Sequence, residues 1–196
     1  MIEPALALVD FSSIASGIQA ADAMVKRAPI DTIRAGTVQP GRYLVLIGGA
    51  VADVEESLSA GREVGGSAVL DHVFLPNVHP GVVEAITGSR VPDPRDAIGV
   101  VETMTAAAAI QAADAGLKSA QVRLVEVRLA DGLGGKGIVF YSGVVADVEI
   151  AVESGTGALD RPDLLVRRVV IPQLHTEMWD NLSAATPFSR RAVEAK

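Results

Sequence analysis

Cysteine is absent from the 196 residues of the chain. Disulfides, zinc–thiolate sites and cysteine-ligated iron–sulfur clusters are therefore excluded. Aromatic residues are also scarce, at 4% of the sequence, although apolar residues as a whole make up 49%. The core must therefore be built from Ala, Val, Leu and Ile, whose small side chains let helices and sheets approach closely.

An excess of basic residues is missing too, because 17 Lys and Arg stand against 24 Asp and Glu, for a net charge of −7. This balance argues against a nucleic-acid-binding protein and against electrostatic binding to anionic membranes. No apolar run approaches the ~20 residues of a membrane-spanning helix. The first residues also lack the basic segment of a signal peptide, so we expect a cytosolic protein.

A long internal repeat is what the sequence does contain. The three repeated segments, each given with its second copy, are Ile18–Asp22 with Ile110–Asp114, Val51–Glu55 with Val145–Glu149, and Leu75–His79 with Ile171–His175. Their offset grows from 92 through 94 to 96 residues, which predicts two short insertions in the second copy, the first between Lys118 and Gly143. Solenoid repeats are shorter, at roughly 20–50 residues. The repeat therefore indicates a duplicated domain.

We expect the two domains to span residues 1–88 and 97–183. The segment between them, 89–96 (SRVPDPRD), is rich in proline and charge, as linkers are. The segment 184–196 is polar and charged and is predicted to be a flexible tail.

The spacing of apolar residues predicts the same order of elements in both copies. In the first copy, Ser12 or Ser13 is expected to cap the first helix and Pro29 to end it. The elements predicted for the first copy are strands Ala5–Phe11, Thr32–Val38, Arg42–Ile47 and Val69–Leu75 and helices Ile14–Ala28, Val51–Arg62 and His79–Ile86. Those predicted for the second copy are strands Ile98–Glu102, Leu124–Leu129, Gly137–Tyr141 and Leu164–Ile171 and helices Thr105–Ser119, Val144–Glu153 and Glu177–Leu182. The order β-α-β-β-α-β predicts an α+β fold of two tandem ferredoxin-like domains.

Some residues could suggest a chemical site, but each has a simpler interpretation. The segment 131–137 (DGLGGKG) departs from a P-loop in its spacing and in the glycine after its lysine, so its glycines are expected to allow positive φ in a turn between strands. His79 and His175 occupy equivalent positions in the two copies and are expected to cap the terminal helices or to meet a neighbouring ring, rather than to bind a metal with His72. Acidic pairs such as Asp53 and Glu55 begin helices, where they complement the helix dipole.

Both copies resemble the bacterial microcompartment domain. The segments that carry this resemblance are Ala5–Asp10, Ile18–Lys26, Ala97–Glu102 and Ile110–Lys118. Two such domains in one chain are typical of the tandem-domain, trimeric class of microcompartment shell protein. Within this class the chain resembles the T-type shell proteins of propanediol-utilisation compartments. The segments that carry this second resemblance are Thr37–Gly41, Asn77–Pro80, Gly132–Lys136 and Val170–Trp179.

The resemblance implies a structural, pore-forming shell subunit and not an enzyme. Three identical chains would close into a ring of six domains, and such rings would tile with other shell proteins into the facets of a cytoplasmic microcompartment. The loop between the second and third strands of each copy would line a pore for a small solute at the three-fold axis. The expected pore residues are Thr37, Val38, Gln39, Pro40, Gly41, Gly132, Leu133, Gly134, Gly135 and Lys136.

The resemblance also implies an edge at which neighbouring rings meet. The residues expected at this edge are Lys26, Lys118, His79 and His175. From the sequence alone, each lysine is expected to pair with the aspartate four residues before it on the helix. The two interpretations are compatible, because the stem and the charged head of a lysine can make different contacts.

Gln39 marks a departure from the family pattern. The related propanediol protein has a cysteine at this position, and three copies of it hold an iron–sulfur cluster. Gln39 offers an amide and no thiolate, so no such cluster is expected, and neither is another cofactor. Three Gln39 side chains would instead form a polar ring around an open pore.

A different class of function stays open at this point. The chain could be a soluble trimeric ligand-binding or regulatory protein of ferredoxin-like fold, with the glycine-rich segment 131–137 binding an anion. That function predicts discrete trimers that never tile. An electron-conducting shell subunit is a third hypothesis, against which the absence of cysteine argues.

Overall fold

The computed structural model describes residues 5–88 and 97–183. The predicted linker, 89–96, and the predicted tail, 184–196, lie outside these described residues, as do residues 1–4.

Each repeat folds in the order β-α-β-β-α-β and ends in a further helix, as predicted. The first repeat consists of β1 (Ala5–Phe11), α1 (Ile14–Arg27), β2 (Thr32–Val38), β3 (Arg42–Gly49), α2 (Val51–Gly65), β4 (Val69–Leu75) and α3 (Pro80–Thr87). The second consists of β5 (Ala97–Thr103), α4 (Ala106–Ser119), β6 (Arg123–Leu129), β7 (Gly137–Gly143), α5 (Val145–Gly157), β8 (Leu165–Ile171) and α6 (Thr176–Ser183). A short 3-10 turn precedes both β4 and β8.

Each repeat contains one four-stranded sheet in which all neighbouring strands are antiparallel. The strand orders are β2-β3-β1-β4 and β6-β7-β5-β8. The two sheets therefore have the same topology, and the predicted α+β class with tandem ferredoxin-like domains is confirmed.

Local signals explain where α1 begins and ends, whereas the last turn of α2 also depends on tertiary packing. The Ser13 hydroxyl accepts a hydrogen bond from the Ser16 N–H at 3.3 Å and caps α1, whose last residue, Arg27, stands just before the extended Ala28. The predicted end of α2 at Arg62 was wrong, because the helix continues to Gly65. A side chain at Gly65, the last residue of α2, would collide with Phe11, so this glycine is needed for close packing on β1. The helix is capped at its end by Gly66, whose φ is +48°.

The second repeat is longer than the first in two places. Residues 130–136 connect β6 to β7, whereas residues 39–41 connect β2 to β3. Residues 158–161 then separate α5 from the following 3-10 turn, whereas α2 leads into its turn directly. The first insertion lies within the predicted interval between Lys118 and Gly143.

The central strand β1 is buried on both faces. Ala7 and Val9 pack with α1 and α2 of their own repeat, whereas Leu6 and Leu8 belong to a core that includes α4 of the second repeat. Helix α3 reaches onto β6 in the same core. The two repeats are thus joined by an apolar interface within one chain. No helix among the described residues is long and apolar enough to cross a membrane.

Candidate functional site

The first predicted pore loop is the turn between β2 and β3. Gln39, Pro40 and Gly41 form this turn and are exposed, and the Gly41 N–H donates to the Val38 carbonyl at 3.0 Å. Gly41 has φ +92°, in the region that favours glycine. Thr37 is exposed at the end of β2, whereas Val38 packs against the core shared by the two repeats. The loop residues from Gln39 to Gly41, and Thr37 before them, are therefore available to solvent.

The second predicted pore loop, residues 130–136, is a tight turn between β6 and β7. Its ends are joined by a hydrogen bond of 2.9 Å from the Ala130 N–H to the Lys136 carbonyl. Gly132, Gly134 and Gly135 have φ values of +71°, +63° and +89°. The prediction that these glycines serve positive φ in a turn is confirmed.

Arg42 brings the two loops into contact. It is the first residue of β3, immediately after the first loop. Its Nη1 donates to the Gly135 carbonyl at 3.3 Å and lies 3.2 Å from the Asp10 Oδ2. A Cβ on Gly135 would stand 2.7 Å from the Arg42 guanidinium carbon, so only glycine leaves room for this approach. Both predicted pore loops therefore lie at the same end of the molecule.

An acid–base pair supports the base of each loop. In the first repeat it is Asp10 with Arg42, and in the second it is Glu102 with Lys136, whose Nζ lies 2.8 Å from Oε1. Asp10 and Glu102 are 92 residues apart, and Arg42 and Lys136 are 94 apart, which are the offsets of the repeat itself. Sequence reasoning did not single out these pairs, which an alignment of the copies reveals only if the offset changes from 92 residues at the acid to 94 at the base.

The two pairs differ in their surroundings. Asp10 is fully buried, whereas Glu102 and Lys136 are partly exposed. Burial raises the pKa of Asp10 to about 6, although the Arg42 cation opposes the rise, and the neighbouring Asp71 adds to it. The first repeat therefore holds a fully buried carboxyl whose charge changes near pH 6.

The two lysines predicted at the ring edge both pair with the aspartate one turn earlier. Lys26 and Asp22 are 2.6 Å apart and exposed, and Lys118 and Asp114 are also 2.6 Å apart. Lys118 additionally donates to the carbonyl of Asn77 in the first repeat. The i,i+4 interpretation is confirmed for both, and a role between rings stays a prediction.

The two equivalent histidines each stand just before a helix, and Asp114 of α4 contacts one of them. His79 Nδ1 accepts from the Gly81 N–H at 3.1 Å and caps α3, and His175 Nδ1 accepts from the Glu177 N–H at 3.4 Å at the start of α6. The His79 N–H donates to Asp114 Oδ1 at 2.8 Å, across the interface between the repeats. The capping interpretation is confirmed. Among residues 5–88 and 97–183, no group of three His, Asp or Glu side chains is placed to hold a metal ion.

Two segments of the chain, 5–78 and 97–174, match the BMC domain family, and the chain belongs to that family. These segments coincide with the two repeats. The resemblance inferred from the sequence is thereby confirmed.

Particular relatives extend this match over most of the chain. The bacterial microcompartment shell protein PduT of Citrobacter freundii is 39% identical over 175 residues, which cover 89% of this chain and 95% of that protein. The carboxysome assembly protein CcmO of Synechococcus elongatus is 29% identical over 91% of this chain and 68% of that protein. The crystal structure of a microcompartment protein from Desulfitobacterium hafniense DCB superimposes with a TM-score of 0.78 at 44% identity, over 89% of this chain and 97% of that one.

Proposed function

We propose that this chain is a structural shell subunit of a bacterial microcompartment, with no enzymatic activity. Three copies close into a pseudohexameric ring, and such rings tile with other shell proteins into facets that carry pores. Membership of the BMC domain family and the shell proteins among the relatives support the structural role. The difference in exposure between equivalent residues of the two repeats supports the ring.

The observation that carries the proposal is a difference between α1 and α4. Ile18 is 53% exposed on α1, whereas its equivalent, Ile110, is fully buried against the first sheet. Ile14 and Val25 are exposed beside Ile18. These three residues, which we name the α1 face, correspond to the face of α4 that packs against the other repeat.

The second repeat has the complementary exposed surface. Val169 on β8 is 38% exposed and Met178 on α6 is 50% exposed. Their equivalents in the first repeat, Val73 and Val82, are buried in the core that contains α4. We name Val169 and Met178 the β8 face.

The two faces suggest a partner for each other. Within the chain, the first sheet receives α4, so by equivalence the β8 face of one copy receives the α1 face of the next. The surfaces are different, so the contact is head-to-tail, and a head-to-tail contact gives a closed ring if its rotation closes. Six equivalent domains, and therefore three chains, make the ring that the family resemblance implies.

The loops that meet through Arg42 form the pore of this ring. Gln39 and Pro40 are exposed in the first loop, and Gly132 and Gly134 are exposed in the second. The glycine backbone and the Gln39 side-chain amide offer a solute hydrogen-bonding groups that carry no fixed charge. We infer an open pore for a small polar solute or water, with Gln39 in place of a cluster ligand and no cofactor.

Lys26 and His175 would lie at the outer edge of this ring, with Lys118 and His79 at the equivalent positions. Lys26 is exposed and its head pairs with Asp22 on its own helix, so its stem is available to a neighbouring ring. Neighbouring rings would meet side by side at these edges, within one facet of a cytoplasmic microcompartment. The two domains of the subunit are residues 1–88 and 97–183.

The mass in solution tests the ring, and two variants distinguish its cause. Light scattering should give about 61 kDa, three times the 20.3 kDa chain. Ile18→Glu places a charge in the proposed contact and should give folded monomers. Ile150→Glu is the matched control, since Ile150 is similarly exposed and its equivalent in the first repeat is already an acid, Glu56. A monomeric native chain, or trimers unaffected by Ile18→Glu, would contradict the proposal.

Negative-stain electron microscopy at rising concentration tests the tiling. Rings with three-fold symmetry that join into sheets are expected. Isolated trimers that never tile would move the function to a soluble ligand-binding protein with the same fold.

A further inference from the structure

The structure contains a buried carboxylate whose bonding is incomplete. Asp10 lies at the end of β1, fully buried, and its Oδ2 faces Arg42 at 3.2 Å. Its other oxygen, Oδ1, is buried and has no hydrogen-bond partner within residues 5–88 and 97–183. A buried charged group with an unsatisfied oxygen is costly, and protonation relieves that cost.

The groups around Asp10 come from β3, β4, the start of α4 and loop 130–136. Arg42 from β3 is the cation, and Asp71, directly opposite on β4, is a second acid. The hydroxyl of Thr105, at the start of α4, donates to Asp71 and holds it in place. Loop 130–136 contributes the Gly135 carbonyl. Of its two charged residues, Lys136 is engaged by Glu102 and Asp131 is exposed.

Arg42 makes the state of Asp10 relevant to the second loop. One nitrogen of its guanidinium, Nη1, is shared between the Asp10 carboxylate and the Gly135 carbonyl. Its side chain is mostly buried, so it stays there only while a negative charge compensates for its desolvation. If Asp10 becomes neutral, the guanidinium gains by turning to solvent, and its hydrogen bond to Gly135 is lost.

We propose that Asp10 and Arg42 form a proton-sensitive clamp that holds loop 130–136 against the first repeat and releases it when Asp10 binds a proton. The transition falls near pH 6, because that is where burial places the pKa of Asp10. The clamp is a property of the single chain. Its consequence for the pore, a looser rim at low pH, rests on the proposed function.

Hydrogen exchange of residues 130–136 in the full chain tests the clamp. The protection of these amides, corrected for the intrinsic pH dependence of exchange, should fall several-fold between pH 7.5 and pH 5, with a midpoint near 6. Strand β7 should show no such change. Asp10→Asn, which is neutral at every pH, should give low protection of the loop at both pH values. Glu102→Gln removes the equivalent acid of the other pair and should keep the native pH dependence.

Several results would overturn the proposal. These are equal protection of the native loop at the two pH values, or a fall that persists in Asp10→Asn or disappears in Glu102→Gln. If Asp10→Asn does not fold, Arg42→Gln decides the matter, since it removes the contact with Gly135 and should give low protection at both pH values. Native-like protection in Arg42→Gln would refute the clamp. None of these results depends on whether rings assemble, which the mass in solution tests separately.

Discussion

The pentapeptide IQAAD occurs twice in the chain, in the same helix of each repeat, with opposite surroundings. In α4 its isoleucine, Ile110, is fully buried and its aspartate, Asp114, is nearly so, whereas Ile18 and Asp22 in α1 are exposed. The local sequence and the local conformation are the same. The difference arises because the sheet of the first repeat covers α4, whereas the corresponding face of α1 stays exposed.

This comparison explains what a tandem chain gains. One contact between equivalent domains is formed inside the chain, where it contributes to folding. Its counterpart stays available on the surface, where it can contribute to association with another copy. On the proposed function, the same side chain has a folding role in one repeat and an association role in the other.

Alanine at the two isoleucines should separate these roles most strongly. Ile110→Ala removes buried methyl groups and should lower the free energy of unfolding by about 2–5 kcal/mol. Ile18→Ala should change the stability of the dissociated chain by less than about 0.5 kcal/mol, while weakening association. Urea unfolding at one low protein concentration measures the first effect, and light scattering measures the second. Equal loss of stability in both variants would show that α1 is not the exposed counterpart of α4.

The two acid–base pairs should differ in their effect on stability as the pH changes. The pKa of Asp10 is about 6 in the folded chain against an ordinary 3.8, so the folded chain holds a proton that the unfolded chain releases. The resulting stability is fully present below pH 3.8 and is lost as the pH rises through 6. At about 1.36 kcal/mol per pKa unit, the loss is at most about 3 kcal/mol.

Urea unfolding of the native chain and of Asp10→Asn between pH 4 and pH 7.5 measures this difference. The free energy of unfolding of the native chain, relative to that of Asp10→Asn, should fall as the pH rises over this interval, because the asparagine does not titrate. Glu102→Gln serves as the control from the second pair. Parallel profiles for the native chain and Asp10→Asn would contradict the assignment. A gain in global stability at low pH is compatible with a looser loop, because protonation removes a buried charge from the core.

The aspartates of the repeated pentapeptide should also be unequal. Asp114→Ala leaves the His79 N–H without its acceptor and separates Lys118 from its partner, at a cost of about 1.5–3 kcal/mol. Asp22→Ala breaks only an exposed i,i+4 pair, which contributes about 0–1 kcal/mol to the dissociated chain. Thermal or urea unfolding at low concentration measures both. A cost for Asp22→Ala as large as that for Asp114→Ala would contradict the comparison.

Two glycines of the second loop give the smallest of these contrasts. Alanine at Gly134 or Gly135 must adopt positive φ, at a cost of about 1–2 kcal/mol. Gly134→Ala meets no other atom, whereas Gly135→Ala also meets the Arg42 guanidinium. Gly135→Ala should therefore be the more destabilising, and it should expose Arg42 as well. Equal costs would show that the contact between the loops contributes nothing.

The fold was largely predictable because each element carries a local signal and the duplication supplies it twice. Ser13 and Pro29 bound α1 in the sequence as they do in the structure. The end of α2 was not predictable, because Gly61 resembles a helix end locally but serves packing against Met24. That use of glycine depends on neighbours distant in the sequence.

The site was predictable in part for the same reason. Both predicted pore loops could be located from turn residues between strands, and their role at a pore is inferred from the family resemblance. The pairs beneath them were missed because Asp10 and Arg42 are 32 residues apart. The offset between the repeats also changes from 92 residues at the acid to 94 at the base. An alignment of the copies at one fixed offset therefore does not match both members of a pair. Contacts across the repeats, such as that of Lys118 with Asn77, depend on tertiary packing alone.

The central claim is that the contact made inside the chain recurs between chains, and cross-linking tests it most directly. The His79 N–H and the Asp114 carboxylate meet inside the chain at 2.8 Å, and their equivalents are His175 and Asp22. Since the chain has no cysteine, the double variant Asp22→Cys, His175→Cys carries a single pair, and each single variant is its control. A short thiol cross-linker should convert the double variant into covalent trimers and nothing larger. Only monomers, or a ladder that continues beyond trimers, would contradict a closed ring of three chains.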